Sequence, residues 1–179
     1  GAGFEFVDEV KGGTIPTQFL PAVQKGVEQV LAVGPVAGYP LQDVRVIVYD
    51  GKSHAVDSKE VAFVSAGKKA FIDAISKARP IVLEPIVNLE VHCQADKMGD
   101  IAGDLSSRRG QVSGTHNSAS GTVTIRGQAP LAELAGYQSR LNAMTAGQGR
   151  YSLALSHYDP VPPTVQAQLT SQFKVKDEE

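Results

Sequence analysis

The order of alternating and helical stretches between residues 85 and 158 constrains this chain more than any other feature. The run PIVNLEVHC (85 to 93) alternates as a strand does, and Met98, Ile101, Ala102 and Leu105 then recur at helical spacing until Gly110 stops the helix. QVSGT begins a second strand and TVTIRGQ (122 to 128) a third. Pro130 opens a helix carrying Leu131, Leu134, Leu141 and Met144, and RYSLALSHY (150 to 158) alternates once more. The pattern reads βαββαβ. Two βαβ halves joined by a hairpin form a ferredoxin-like split βαβ sheet with both helices on one face.

A different rhythm precedes Ala78-Arg79-Pro80. FEFVDEV (4 to 10) alternates, with Phe4, Phe6 and Val10 on one face, and Pro21 fits the first turn of a helix marked by Val23, Val27, Val30 and Leu31 up to Gly34. Val44, Val46 and Val48 alternate with Arg45, Ile47 and Tyr49, which predicts a strand with two apolar faces. A second helix follows, capped by Asp57 or Ser58, with Val61, Val64, Phe71, Ile72 and Ile75 as its apolar stripe. The fold class is therefore α+β, with two small α/β-sandwich domains over residues 1 to 80 and 81 to 160. Residues 161 to 179, rich in Pro and then charged, read as an appendage with a fraying end.

Composition excludes a few classes. With 42% hydrophobic and 20% charged residues the chain folds rather than staying disordered, and a formal charge of -2 provides no global pull toward nucleic acid. Any binding of nucleic acid must come from local patches on a near-neutral body. The single cysteine, Cys93, leaves no intramolecular disulfide and fits a reducing compartment. No apolar run approaches the ~20 residues that span a bilayer, and the N-terminus has neither a basic leader nor an initiator Met. A cytoplasmic location, no membrane partner and a place within a longer protein are the expectations.

The polar stretch VYDGKSHAVDSKE (48 to 60) falls between a strand and a helix and carries most of the candidate chemistry. Gly51-Lys52-Ser53 matches the end of a phosphate-binding loop, but that motif needs Gly five residues before Gly51, and position 46 is Val inside an apolar strand. A nucleotide site is not expected there. His54 with Asp57 and Glu60 suggests an acid-base group, although no nucleophile accompanies them and helix capping explains Asp57 without catalysis. His54, His92, Cys93, His116 and His157 lack metal-ligand spacing, so no metal is expected. His92 and Cys93 are adjacent on a strand, which places one inside and one outside. Arg108 and Arg109 fall in the last turn of a helix, where they complement the helix dipole or present guanidinium groups outward to phosphate.

Seven runs carry a resemblance: IPTQFLPAVQKGVEQ (15 to 29), GPVAGYPLQDV (34 to 44), DGKSHAVDSKEVAF (50 to 63), LEPIVNLEV (83 to 91), MGDIAGDLSSRRG (98 to 110), PLAELAGYQSRL (130 to 141) and YSLALSHYDPVP (151 to 162). In order and in register, they are similar to the carboxy-terminal third of bacterial translation elongation factor G. The resemblance implies that residues 1 to 80 are most of the fourth domain, a partial ribosomal-protein-S5-like fold, and that the ferredoxin-like part is the fifth. It implies a ribosomal partner. The tip residues Gly51, Lys52, Ser53, His54, Ala55 and Asp57 would face transfer RNA and messenger RNA in the A site, and Arg108 and Arg109 would face ribosomal RNA.

The same resemblance puts GTP and magnesium on an N-terminal domain outside this chain, so the chain itself is expected to hold no cofactor, to hydrolyse nothing and to act as a monomer. Family members often carry an aromatic residue before the tip histidine and an acidic one after it, where this chain has Ser53 and Ala55. A recycling-only paralogue or a ribosome-protection protein of the same superfamily shares both domains. An acid-base enzyme using His54 and Asp57 is the alternative of another class, and it requires a closed pocket beside the loop.

Overall fold

A computed structural model describes residues 1–54, 58–118 and 120–173. The chain divides into two units, one formed by residues 1–82 with the segment from Pro162 on, the other by residues 83–161.

In the first unit, β1 (Phe4–Asp8) pairs in parallel with β2 (Val44–Val48), with Phe4 opposite Val44 and Asp8 opposite Val48. A 3-10 turn (Thr17–Phe19) leads into α1 (Leu20–Val33), where Pro21 occupies the first turn and Gly34, at φ 69°, ends the helix. Val27, Val30 and Leu31 pack with Phe71 over Val44 and Val46. The helices cover only one side of the strands, so the expectation of two apolar faces is corrected: Ile47 is 42% exposed. The following helix, α2 (Glu60–Lys77), buries Phe63, Gly67 and Phe71. The expected stripe holds at Val64, Phe71, Ile72 and Ile75, and fails at Val61, which is 72% exposed while Phe63 takes the inward place and stacks on Phe19 at 4.4 Å between ring centroids. That aromatic pair settles which face turns inward.

The second unit has the expected βαββαβ order. Its strands β3 (Leu83–Gln94), β4 (Gln111–Asn117), β5 (Thr122–Pro130) and β6 (Arg150–Pro160) lie in the order β4-β5-β3-β6, each antiparallel to its neighbours. This is the ferredoxin-like arrangement. Inward residues Val87, Leu89, Val91 and Cys93 of β3 join Val123 and Ile125 of β5 in one core, completed by Ile101 and Leu105 of α3 (Met98–Ser107) and by Tyr137 and Leu141 of α4 (Tyr137–Thr145). The helix expected from Pro130 is divided in two. A 3-10 turn (Leu131–Leu134) comes first, Gly136 at φ 70° reverses the backbone, and α4 begins at Tyr137.

The residues after β6 form α5 (Pro163–Gln172) and belong to the first unit. Gln166 accepts from the Val82 N–H at 3.1 Å and donates to the Pro80 carbonyl at 3.0 Å. Phe173 lies against Gly38, where a Cβ would stand 2.7 Å from the ring. Through residue 173 the tail is thus docked by its own side chains.

Candidate functional site

The expected tip begins where β2 ends. The Asp50 carboxylate accepts from the Gly51 N–H at 2.8 Å, and Gly51, Lys52, Ser53 and His54 are all exposed. Gly51 sits close over the core rather than in a left-handed backbone: a Cβ would fall 2.5 Å from the side chain of the buried Ile15, which would have to move aside. The loop therefore rests directly on the core of its unit. Ala55 and Asp57 lie outside the described residues, and so does the expected pairing of His54 with Asp57.

Ser58 has a role that helix-capping logic does not give. The first helical residue is Glu60, the capping position is Lys59, and no side chain caps it. Instead the Ser58 Oγ accepts from the His54 N–H at 2.9 Å and donates to the His54 carbonyl at 2.6 Å, which also accepts from the Ser58 N–H at 3.2 Å. Three bonds tie Ser58 to the backbone of His54. Serine favours such local backbone contacts over helix interiors, which is the signal a sequence reader would need to weigh. The Lys52-Ser53 pair precedes the start of α2 by several residues, so it does not occupy the helix N-terminus that cradles phosphate in a nucleotide loop.

The two arginines at the end of α3 do not sit in its last turn. Arg108 is the C-cap, and Arg109 lies one residue beyond with φ 60°. The Gly110 N–H reaches the Leu105 carbonyl at 2.8 Å and the Arg109 N–H reaches that of Ser106 at 3.2 Å, which is a Schellman ending with Arg in the place usual for Gly. Gly110 is needed for another reason: a Cβ there would be 2.7 Å from the Leu105 carbonyl oxygen.

Both guanidinium groups have acidic partners within the unit, Arg108 half-buried and Arg109 exposed. Arg109 forms a two-pronged pair with Glu84, a carboxylate with a side chain only 8% exposed, and its Nη1 also reaches Glu133 at 3.4 Å. Bonding to Glu84 outweighs desolvation and holds Arg109 more firmly protonated than usual. Arg108 donates from Nε to Asp104 at 2.9 Å and from Nη1 to the Glu133 carbonyl at 2.6 Å, with its charge 5.4 Å above the centre of the Tyr137 ring. Arg140 of α4 donates to the other Asp104 oxygen at 3.0 Å. Burial raises the Asp104 pKa, but the hydrogen bonds and charges of Arg108 and Arg140 outweigh it and leave the carboxyl below the ordinary range. Tyr137, fully buried beside this cluster, is pushed up to about 12 by desolvation and then by Asp104.

The remaining candidates separate. Cys93 is buried and His92 exposed, with His92 Nδ1 2.9 Å from Thr124 Oγ1. Burial, then Asp96, raises the Cys93 thiol pKa. Among the described residues no group of three or more His, Cys, Asp or Glu is placed to hold a metal, and no helix is long and apolar enough to cross a membrane.

Comparison with known proteins matches each part of the chain separately. Residues 1–79 match the family model described as elongation factor G, domain IV, and residues 81–169 match that for the elongation factor G C-terminus. Elongation factor G of Aquifex pyrophilus is 48% identical over 162 residues, which cover 90% of this chain and 23% of that protein. A crystal structure from Thermus thermophilus matches 96% of this chain and 26% of its own at 33% identity, with a TM-score of 0.74. The chain spans about a quarter of the length of these relatives.

Proposed function

Because the chain belongs to the elongation factor G family, we propose that it is the part of a ribosomal translocase that touches RNA while GTP is hydrolysed, with magnesium, in a region outside it. The observation that carries this reading is the exposed turn from Gly51 to His54, seated on Ile15 and closed by Ser58. A-form RNA offers a shallow minor groove of hydroxyls and phosphates, and a short polar turn fixed from beneath makes contact there without reading sequence. In this reading Gly51, Lys52, Ser53 and His54, with Ala55 and Asp57 beyond them, meet transfer RNA and messenger RNA in the A site. The second unit meets ribosomal RNA of the large subunit, where Arg108 and Arg109 act by fixing the end of α3, their charges being paired within the unit.

The protein works as a cytoplasmic monomer in translation elongation. The test is co-sedimentation of the chain with 70S ribosomes. Binding that intact elongation factor G displaces supports the reading, and a chain left wholly in the supernatant at low salt refutes it.

A further inference from the structure

We infer that Arg140 is a phosphate-binding residue held in position by Asp104, the occupant being a backbone phosphate of RNA; this rests on the ribosomal reading above. The Asp104 side chain is only 8% exposed, and each of its oxygens accepts from one arginine, Oδ2 from Arg108 Nε and Oδ1 from Arg140 Nε. The two arginines are otherwise unlike. Arg108 is 21% exposed, lies over Tyr137 and gives Nη1 to a carbonyl. Arg140 is 57% exposed, and among the described residues its terminal nitrogens have no protein partner. Asp104 is shared between two guanidinium groups while Arg109 takes Glu84 and Glu133, so the cluster as a whole is balanced, and the guanidinium it leaves facing solvent is that of Arg140. With Nε anchored, the guanidinium plane is fixed while both terminal NH2 groups stay available. That is the geometry that takes two phosphate oxygens at low entropic cost.

Salt-dependent binding to 70S ribosomes tests this, using the wild-type chain and the variants R140A, R140K, D104N and R126A. Arg126, paired with Glu90 across the sheet, controls for loss of one exposed charge, and thermal unfolding verifies that each variant folds. Loss of one phosphate contact makes the slope of log affinity against log salt shallower by about 1. R140A should show this and R126A should not, while R140K keeps part of the slope.

D104N separates positioning from bulk charge. It removes one negative charge, so simple attraction would tighten binding, whereas release of Arg140 weakens it. A wild-type slope for R140A, or tighter binding by D104N, overturns the proposal and leaves the ribosomal reading standing. Failure of the wild-type chain to bind sinks both. The R140A loss should recur on protein-free large-subunit RNA. A loss confined to intact particles assigns Arg140 to an acidic protein surface and also overturns the proposal.

Discussion

Gly26 of α1 and Gly67 of α2 each face the backbone of the other helix. A Cβ on Gly26 would stand 2.2 Å from the Val64 carbonyl oxygen, and one on Gly67 would stand 2.6 Å from that of Val23. Backbone cannot rotate aside as a side chain does, so either methyl group drives the helices apart and opens the packing around Val23 and Phe63. G26A and G67A should each destabilise the first unit by about 1–3 kcal/mol in urea unfolding. G103A is the contrast. Gly103 lies inside α3 with nothing within 4 Å of an added Cβ, so alanine there should stabilise by roughly 0.5–1 kcal/mol through helix propensity. Equal effects at all three positions would refute the close-approach account.

The acidic cluster of the second unit gives stability a sign at each end of the pH scale. Asp104 has a folded pKa below its unfolded value, so its contribution is complete above the ordinary aspartate pKa of about 3.9 and is lost as pH falls through the depressed folded value. Tyr137 is the reverse case, raised from 10.0 to about 12. Its contribution is complete below pH 10.0 and is lost as pH rises toward about 12. D104N should flatten the acid limb of the stability profile, and Y137F should remove a late phenolate step from an alkaline absorbance titration. An unaltered acid limb in D104N would show that the Arg108 and Arg140 bonds do not stabilise the fold.

The hold on α5 is thin enough to be opened separately. Gln166 supplies two hydrogen bonds to residues 80 and 82, and no residue of the helix is fully buried. Q166A should therefore speed hydrogen exchange at the Val82 amide and throughout α5 while leaving α1 unchanged. Protection at Val82 that survives the substitution would show that α5 does not secure this segment.

Much of this architecture was legible in the sequence, and what was not has a physical cause. The βαββαβ order followed from period-2 and period-3.6 patterns because the inward faces of β3 and α3 are almost purely apolar. The stripe of α2 followed as well except at its first turn, where Val61 and Phe63 are both apolar and only the Phe19 stack distinguishes them. The break before α4 lay in Gly136, whose left-handed backbone is invisible among other glycines. At the tip, Ser58 fits a helix cap as well as a loop closure by residue type, and only its bonds to His54 decide. The partners of Arg109, Glu84 and Glu133, lie far from it in the sequence, whereas Asp104 stands four residues before Arg108, an i,i+4 pairing the sequence did offer. Arg140 gave no sequence signal at all, since what distinguishes it is the shared carboxylate of Asp104.

The central claim is that the exposed turn ending at His54 acts on RNA mechanically and not as part of a catalytic site. It is tested most directly by H54A in an intact elongation factor G whose corresponding region is replaced by this chain, measuring single-round translocation and ribosome-stimulated GTP hydrolysis side by side. Translocation should slow by about tenfold, a loss on the order of 1.4 kcal/mol in the barrier, with GTP hydrolysis nearly unchanged. Equal loss of both activities, or no loss of either, would contradict the claim.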